Sequence, residues 1–171
     1  KSLRVQMVVC FLLLISFGTV KAASKLWEVV SFGDAGTQDG FQYLTFVDEN
    51  RVIGGTSGDS GDTGNIYLST DGGQTWSQKV KNVTNIQKIR FLNSQVGFAV
   101  GGFERYGVGM YLGKTTDGGN TWTDLSQDFI KSVKSSVWIP LYGLWVVDSS
   151  RIYVNSIDQV YVSTNGGTSW S

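Results

Sequence analysis

The sequence predicts an all-β fold, a β-propeller of four-stranded antiparallel blades, present here as an incomplete arc of about three blades. Three observations lead to it. An octapeptide occurs three times, as Ser69 to Trp76 (STDGGQTW), Thr115 to Trp122 (TTDGGNTW) and Ser163 to Trp170 (STNGGTSW). The intervals between successive turn tryptophans are 46 and 48 residues, with 49 more back to Trp27, and this period suits one blade. The 22 glycines, the single proline and the abundance of Val, Tyr, Phe and Trp fit strands joined by glycine turns, and no segment sustains a helical period.

Each repeat divides into the same elements. Phe46-Val47-Asp48 before Arg51-Val52-Ile53, Phe91-Leu92-Asn93 before Val96-Gly97-Phe98, and Val146-Val147-Asp148 before Arg151-Ile152-Tyr153 each read as a β-rich run, an Asp/Asn turn and a second β-rich run. Ile66 to Leu68, Met110 to Leu112 and Val160 to Val162 supply a third strand, and the octapeptide turns it into a fourth. In that turn Asp71, Asp117 and Asn165 fold their side chains onto local N–H groups. Gly73, Gly119 and Gly167, each second in its Gly-Gly pair, allow positive φ, and Trp76, Trp122 and Trp170 wedge between sheets. Alternate residues such as Phe46, Phe91, Phe98 and Val146 are expected in the core. The stretch from Asp124 to Val137 reads as a strand end plus a long connection.

The motif S/T-x-D/N-G-G-x-T/S-W is the Asp-box, and together with F-x-D and the pairs Gly54-Gly55 and Gly101-Gly102 it resembles the photosystem II stability/assembly-factor-like propeller family, over nearly all of the chain from Trp27 onward. The resemblance implies a non-enzymatic protein-binding or assembly scaffold with protein partners. The Asp-box also occurs in sialidases, in some secreted endoglucanases and in sortilin-type receptors. A glycoside hydrolase on the same scaffold, or a sortilin-like receptor ectodomain, therefore stays open as an alternative.

Residues 1–22 read as a signal peptide: Lys1 and Arg4 are basic, Met7 to Phe17 is apolar, and Val20-Lys21-Ala22 offers a small-residue cleavage site. The apolar stretch is too short to span a membrane. This predicts export to a periplasm, an extracellular space or an organelle lumen, with residues 23–171 as the partial propeller. Cys10, the only cysteine, lies in the leader, so the exported part would carry no disulfide, and Ala22-Ala23-Ser24 offers no Cys for lipid attachment. Loss of Lys1, Arg4 and Lys21 leaves 11 basic against 14 acidic residues, a balance that gives nucleic acid no foothold.

Candidate binding residues follow from side-chain chemistry. Glu104, Arg105 and Tyr106 lie in a loop suited to protein contact, and Arg51, Arg90 and Arg151 recur near the first hairpins. Arg51 and Arg151 fall three residues after the turn Asp, whereas Arg90 precedes Phe91, so they do not form one stripe. No catalytic residue is assigned. A sialidase needs three arginines, a Tyr nucleophile and carboxylates, but the exported part has only Arg51, Arg90, Arg105 and Arg151 and no Arg-Ile-Pro motif. A paired-carboxylate hydrolase has Asp34, Asp39, Asp124 and Asp128 to draw on, none in a distinctive setting. The absence of His leaves no Ser-His-Asp triad and no His-based metal site.

No cofactor is expected. Asp59, Asp62 and Asn65 could offer oxygen ligands to Ca²⁺, but no EF-hand pattern is present and a polar hairpin is the simpler reading. Asn82-Val83-Thr84 is a glycosylation sequon if the chain enters a eukaryotic secretory route. An open arc leaves unpaired edges and an incomplete core, so the chain expressed alone is expected to aggregate or stay loose, and a sharp cooperative melt of a soluble monomer would count against this. Calorimetric titration with Ca²⁺ is expected to show neither heat nor a thermal shift.

Overall fold

The computed structural model describes residues 40–57, 63–102 and 109–171. The leader at residues 1–22, Trp27, Asp34, Asp39, Asp59, Asp62, Glu104, Arg105 and Tyr106 lie outside the described residues. Three antiparallel sheets follow one another along the chain, each an up-and-down meander. The first contains β1 (Gly40–Phe46), β2 (Val52–Ser57), β3 (Gly64–Ser69) and β4 (Ser77–Val83), in that order. The second contains β5 (Ile86–Phe91), β6 (Gly97–Gly102), β7 (Met110–Thr115) and β8 (Thr123–Asp124). The third contains β9 (Gly143–Val146), β10 (Ile152–Asn155) and β11 (Val160–Ser163). Ser171 pairs both ways with Val162, at 3.0 and 2.9 Å. Ser77 pairs with Leu68 and Thr123 with Lys114 at the same place in the repeat, so Ser171 occupies the first position of a fourth strand.

The sheets pack face to face as a propeller-like arc, with β1 against β5 and β5 against β9, so the first strands converge on a hub. The sequential meander accounts for this, because a sheet with apolar residues on both faces must bury both, and the short connection from β4 to β5 brings the second repeat directly onto the first. Ile53, Ile66 and Leu68 of the first sheet meet Ile86, Ile89, Ala99 and Tyr111 of the second. Phe98, Val100 and Leu112 of the second meet Leu144, Ile152, Val154, Tyr161 and Trp170 of the third. Cross-strand pairing makes Ile53, Phe98 and Tyr153 equivalent, and likewise Ile66, Leu112 and Val160.

Two expectations about packing need correction. Of the four aromatic and branched residues assigned to the core, Phe98 is fully buried, Phe91 and Val146 are half-buried, and Phe46 is 46% exposed. Phe46, Phe91 and Val146 end their strands opposite Val52, Gly97 and Ile152. The Phe91 ring lies over Gly97, where a Cβ would come within 2.7 Å of it, and it meets Trp122 edge-on at 6.3 Å. Val52 fills the space that Gly97 leaves open, which explains why the Phe46 ring stands outward. The pairs Gly54-Gly55 and Gly101-Gly102 are not equivalent either. Gly54 aligns with Ala99 and makes room for the Phe41 ring, whereas Gly102 makes room for Pro140.

The second correction concerns the connection after β8, which contains a helix, α1 (Ser126–Ser132). The Asp124 carboxylate accepts hydrogen bonds from the Ser126 N–H and hydroxyl, turning the chain out of the sheet, and the Ser126 hydroxyl accepts the Leu112 N–H at 3.0 Å. Leu125, Phe129, Ile130 and Val133 then line one helical face. Phe129 is fully buried, edge-on to Tyr161 at 5.1 Å and to Trp170 at 5.5 Å. Phe129→Ala is expected to cost about 3–5 kcal/mol in denaturant-induced unfolding, the range for a deleted core aromatic ring. Ile130→Ala, at a half-buried position, is expected to cost clearly less.

Candidate functional site at the turns and the hub

The three octapeptide turns are built alike. In the first, the Ser69 hydroxyl donates to Asp71 at 2.8 Å and accepts the Gly73 N–H at 2.8 Å. The Asp71 carboxylate also accepts the Thr75 N–H at 2.9 Å and the Thr75 hydroxyl at 2.6 Å. Thr115, Asp117, Gly119 and Thr121 repeat these bonds. In the third turn Asn165 accepts the Ser169 N–H at 2.9 Å, while its amide donates to the Ser169 hydroxyl at 2.8 Å. Each indole N–H finds the carbonyl of the second glycine, Gly73, Gly119 or Gly167. Both glycines of every pair have positive φ, between 71° and 98°.

These bonds fix the electrostatics. The Thr75 hydroxyl and N–H, then Ser69, hold the Asp71 carboxyl at about 2, and the Thr121 hydroxyl and N–H, then Thr115, do the same for Asp117. At the first hairpins, Arg51 lowers Asp48, and Ser150 lowers Asp148. Every described carboxyl that is shifted is shifted down, so these four stay ionised and none is poised as a general acid near neutrality.

The hub carries a different chemistry. Tyr43 on β1 accepts a hydrogen bond from Arg90 on β5, and the Lys88 ammonium stands 5.8 Å from the Tyr43 ring centroid. Burial pushes the Tyr43 hydroxyl up against the opposing pull of Arg90, so it stays protonated and neutral. At the place on β9 equivalent to that of Arg90 stands Trp145, 57% exposed. Two cations, a phenol and an indole on the hub strands suit a ligand with hydroxyl groups and flat apolar faces.

Of the described binding candidates that side-chain chemistry suggests, only Arg90 lies at this hub. Arg51 is bonded to Asp48 at 2.7 Å and to the Ser94 carbonyl of the second sheet at 3.0 Å, so it holds two sheets together. Arg151 lies at the equivalent position on the third sheet and is exposed. Asn82 is exposed with φ 53°, and its N–H bonds the Asn65 amide oxygen at 3.1 Å. No group of three or more potential metal ligands occurs among the described residues. Thr84 Oγ1 and Asn85 Oδ1 are buried without a hydrogen-bond partner among them. Lys88, Tyr43 and Trp145 carry no motif that marks them in the sequence. Their only signal is position, five residues before the turn Asp or Asn for Tyr43 and Lys88 and three for Trp145, and it becomes visible once the strands are in register.

The architecture defines a class, all-β sheets in a propeller-like arc. No family model matches the chain, and neither does any curated protein. Among solved structures it is similar to an ancestral GH74 enzyme, with 21% identity and TM-score 0.56 over 76% of this chain and 18% of that one. It is also similar to the GH74 xyloglucanase from Xanthomonas campestris, with 13% identity and TM-score 0.57 over 85% of this chain and 25% of that one. The GH74 enzyme of Niastella koreensis gives 21% identity and TM-score 0.50 over 71% and 20%. The chain thus spans a quarter or less of each of these proteins, and at such identity the likeness establishes the fold alone.

The two lowered turn carboxylates predict an acid limb of known sign. Their folded pKa of about 2 lies below the ordinary 3.8, so their stabilisation is present above about pH 4 and is lost as pH falls toward 2. Asp117→Asn is expected to fold, as Asn165 does in the third turn, and to shallow this limb in melts taken from pH 6 to pH 2. Asp117→Ala is expected to melt at lower temperature at neutral pH.

Proposed function

We propose that this chain forms part of a polysaccharide-acting propeller of the glycoside hydrolase class, and that its described sheets supply binding wall rather than the catalytic pair. The observation that carries this reading is that the solved neighbours of the arc include three GH74 enzymes, one of them a xyloglucanase. The hub supports it, since the exposed Trp145 indole offers a stacking face to a sugar ring and Arg90 and Lys88 offer donors to its hydroxyls.

Glycoside hydrolysis needs a carboxylic acid held protonated and a second carboxylate near it. Asp71 and Asp117 are spent in their turns and ionised, Asp124 is spent on Ser126, and Asp128 on Lys131. We place the acid pair of such an enzyme elsewhere than on these four carboxylates.

Affinity electrophoresis in gels containing xyloglucan, with reducing-end assays alongside, tests the reading. Retardation is expected, with Trp145→Ala weakening it roughly tenfold or more, as for a dominant aromatic contact. Neither retardation nor reducing ends with xyloglucan or an unsubstituted β-glucan would sink the proposal. Pull-down of protein partners from the exported fraction would then be the next step. If hydrolysis is present, Asp71→Asn and Asp117→Asn are expected to leave the rate per folded molecule unchanged.

A further inference from the structure

Two cations at the hub lack a counter-charge among the described residues. Lys88 and Arg90 lie two residues apart on a regularly paired stretch of β5, so their side chains leave the strand on the same side. Both converge on the Tyr43 ring, each 5.8 Å from its centroid. The hub strands β1, β5 and β9 contain no aspartate or glutamate. The carboxylates next in sequence, Asp48 and Glu49, lie beyond the end of β1, where Asp48 is held by Arg51. The ion pairs among the described residues join Arg51 to Asp48 and Lys131 to Asp128, and neither involves the hub. An open sheet face does not account for this charge. β5 is the middle hub strand, packed against β1 on one side and β9 on the other, so its exposed Arg90 opens toward the hub and not onto an uncovered flank.

The bond that Arg90 makes keeps its charge available. Its acceptor is the Tyr43 hydroxyl, which burial keeps protonated, so the bond orients the guanidinium without neutralising it. It uses Nη1 and leaves the edge formed by Nε and Nη2 without a partner among the described residues. That edge is the fork that takes a carboxylate side-on through parallel N–H bonds. Arg51 shows the contrast, with its Nε spent on Asp48 and its Nη2 on the Ser94 carbonyl. The size of the charge also limits the ligand. Against 11 basic and 14 acidic residues in the exported part, a dense polyanion meets net repulsion, whereas two cations converging on one ring match a single carboxylate.

We infer that Tyr43, Lys88 and Arg90 form a subsite for an isolated uronate on an otherwise neutral glycan. Arg90 grips the carboxylate through its free edge, Lys88 adds the second charge, and Tyr43 is a positioning residue that aims the guanidinium. The inference rests on the reading of this chain as part of a polysaccharide-acting propeller, and it narrows the substrate class to glycans with sparse carboxylates.

The test is calorimetric titration of the chain with a soluble neutral β-glucan, with the same polymer partly oxidised at C6 to the carboxylate, and with a sulfated form of it. The oxidised polymer is expected to bind roughly tenfold tighter than its parent at low salt, as for a hydrogen-bonded charge pair, with the advantage shrinking in high salt. Arg90→Gln and Lys88→Gln are each expected to remove most of that advantage while leaving affinity for the neutral parent unchanged, which a merely structural role would not do. Tyr43→Phe keeps the ring and both cations, and is expected to lower the advantage severalfold. Lys88→Gln breaks no described hydrogen bond, so it decides the matter even where Arg90→Gln does not fold. Equal affinity for the neutral and oxidised polymers, or an advantage that survives Lys88→Gln, would overturn the inference and leave the polysaccharide reading standing. A sulfated polymer that binds as tightly as the oxidised one would also overturn it, since the site would then read charge and not carboxylate. Binding of none of the three would overturn both readings.

Discussion

Everything in this fold depends on a glycine turn that packs on the sheet of the preceding repeat. Gly119 sits so closely on Ile53, and Gly167 on Phe98, that a side chain on either glycine would press into the preceding sheet. The same turn is tied to the first hairpin of its own sheet, through the Gly72, Gly118 and Gly166 N–H groups bonded at 2.8 Å to the carbonyls of Asn50, Gln95 and Ser150. One element therefore closes its own sheet and fixes the distance to the neighbour. Four-stranded sheets of this size gain little by themselves, and the arc gains stability by adding one shared interface per repeat.

The turn chemistry is kept from repeat to repeat in geometry rather than in charge. Asp71 and Asp117 accept from a threonine hydroxyl, while Asn165 donates to a serine hydroxyl at the same place. What the position requires is an oxygen that accepts the N–H four residues on and a second polar atom that meets a hydroxyl. That requirement explains why the acidic residues that stand out most in the sequence are poor catalysts: the bonds that order the loop also hold the carboxylates ionised. Chemistry, if any, has to be sought away from the repeats' most visible signature, and on the described residues the hub strands offer the more open surface.

Departures from the repeat show where tertiary context intervenes. The fourth strand of the second sheet is cut to two residues because Asp124 captures Ser126 and starts α1, whose Phe129 then fills the gap between the second and third sheets. The apolar spacing of Leu125, Phe129, Ile130 and Val133 is compatible with a short helix, but it competes with the strand period expected from the repeat, and the packing of Phe129 against Tyr161 and Trp170 decides for the helix. Phe46 fails to bury for the opposite reason, since Val52 occupies the space that Gly97 yields to Phe91.

By itself the sequence determined the repeat, the strand count per repeat, the Asp/Asn hairpin turns and the bonding of the octapeptide. These are local matters, settled by side chains within four residues of the groups they bond and by glycines that alone tolerate positive φ. Only the tertiary structure decided that Arg51 bridges sheets, that Arg90 turns to Tyr43, and that the two Gly-Gly pairs of the second strands are out of step. Each of these depends on which residues of different repeats come face to face, and that is set by strand register and sheet stacking, neither of which a period of about 47 residues encodes.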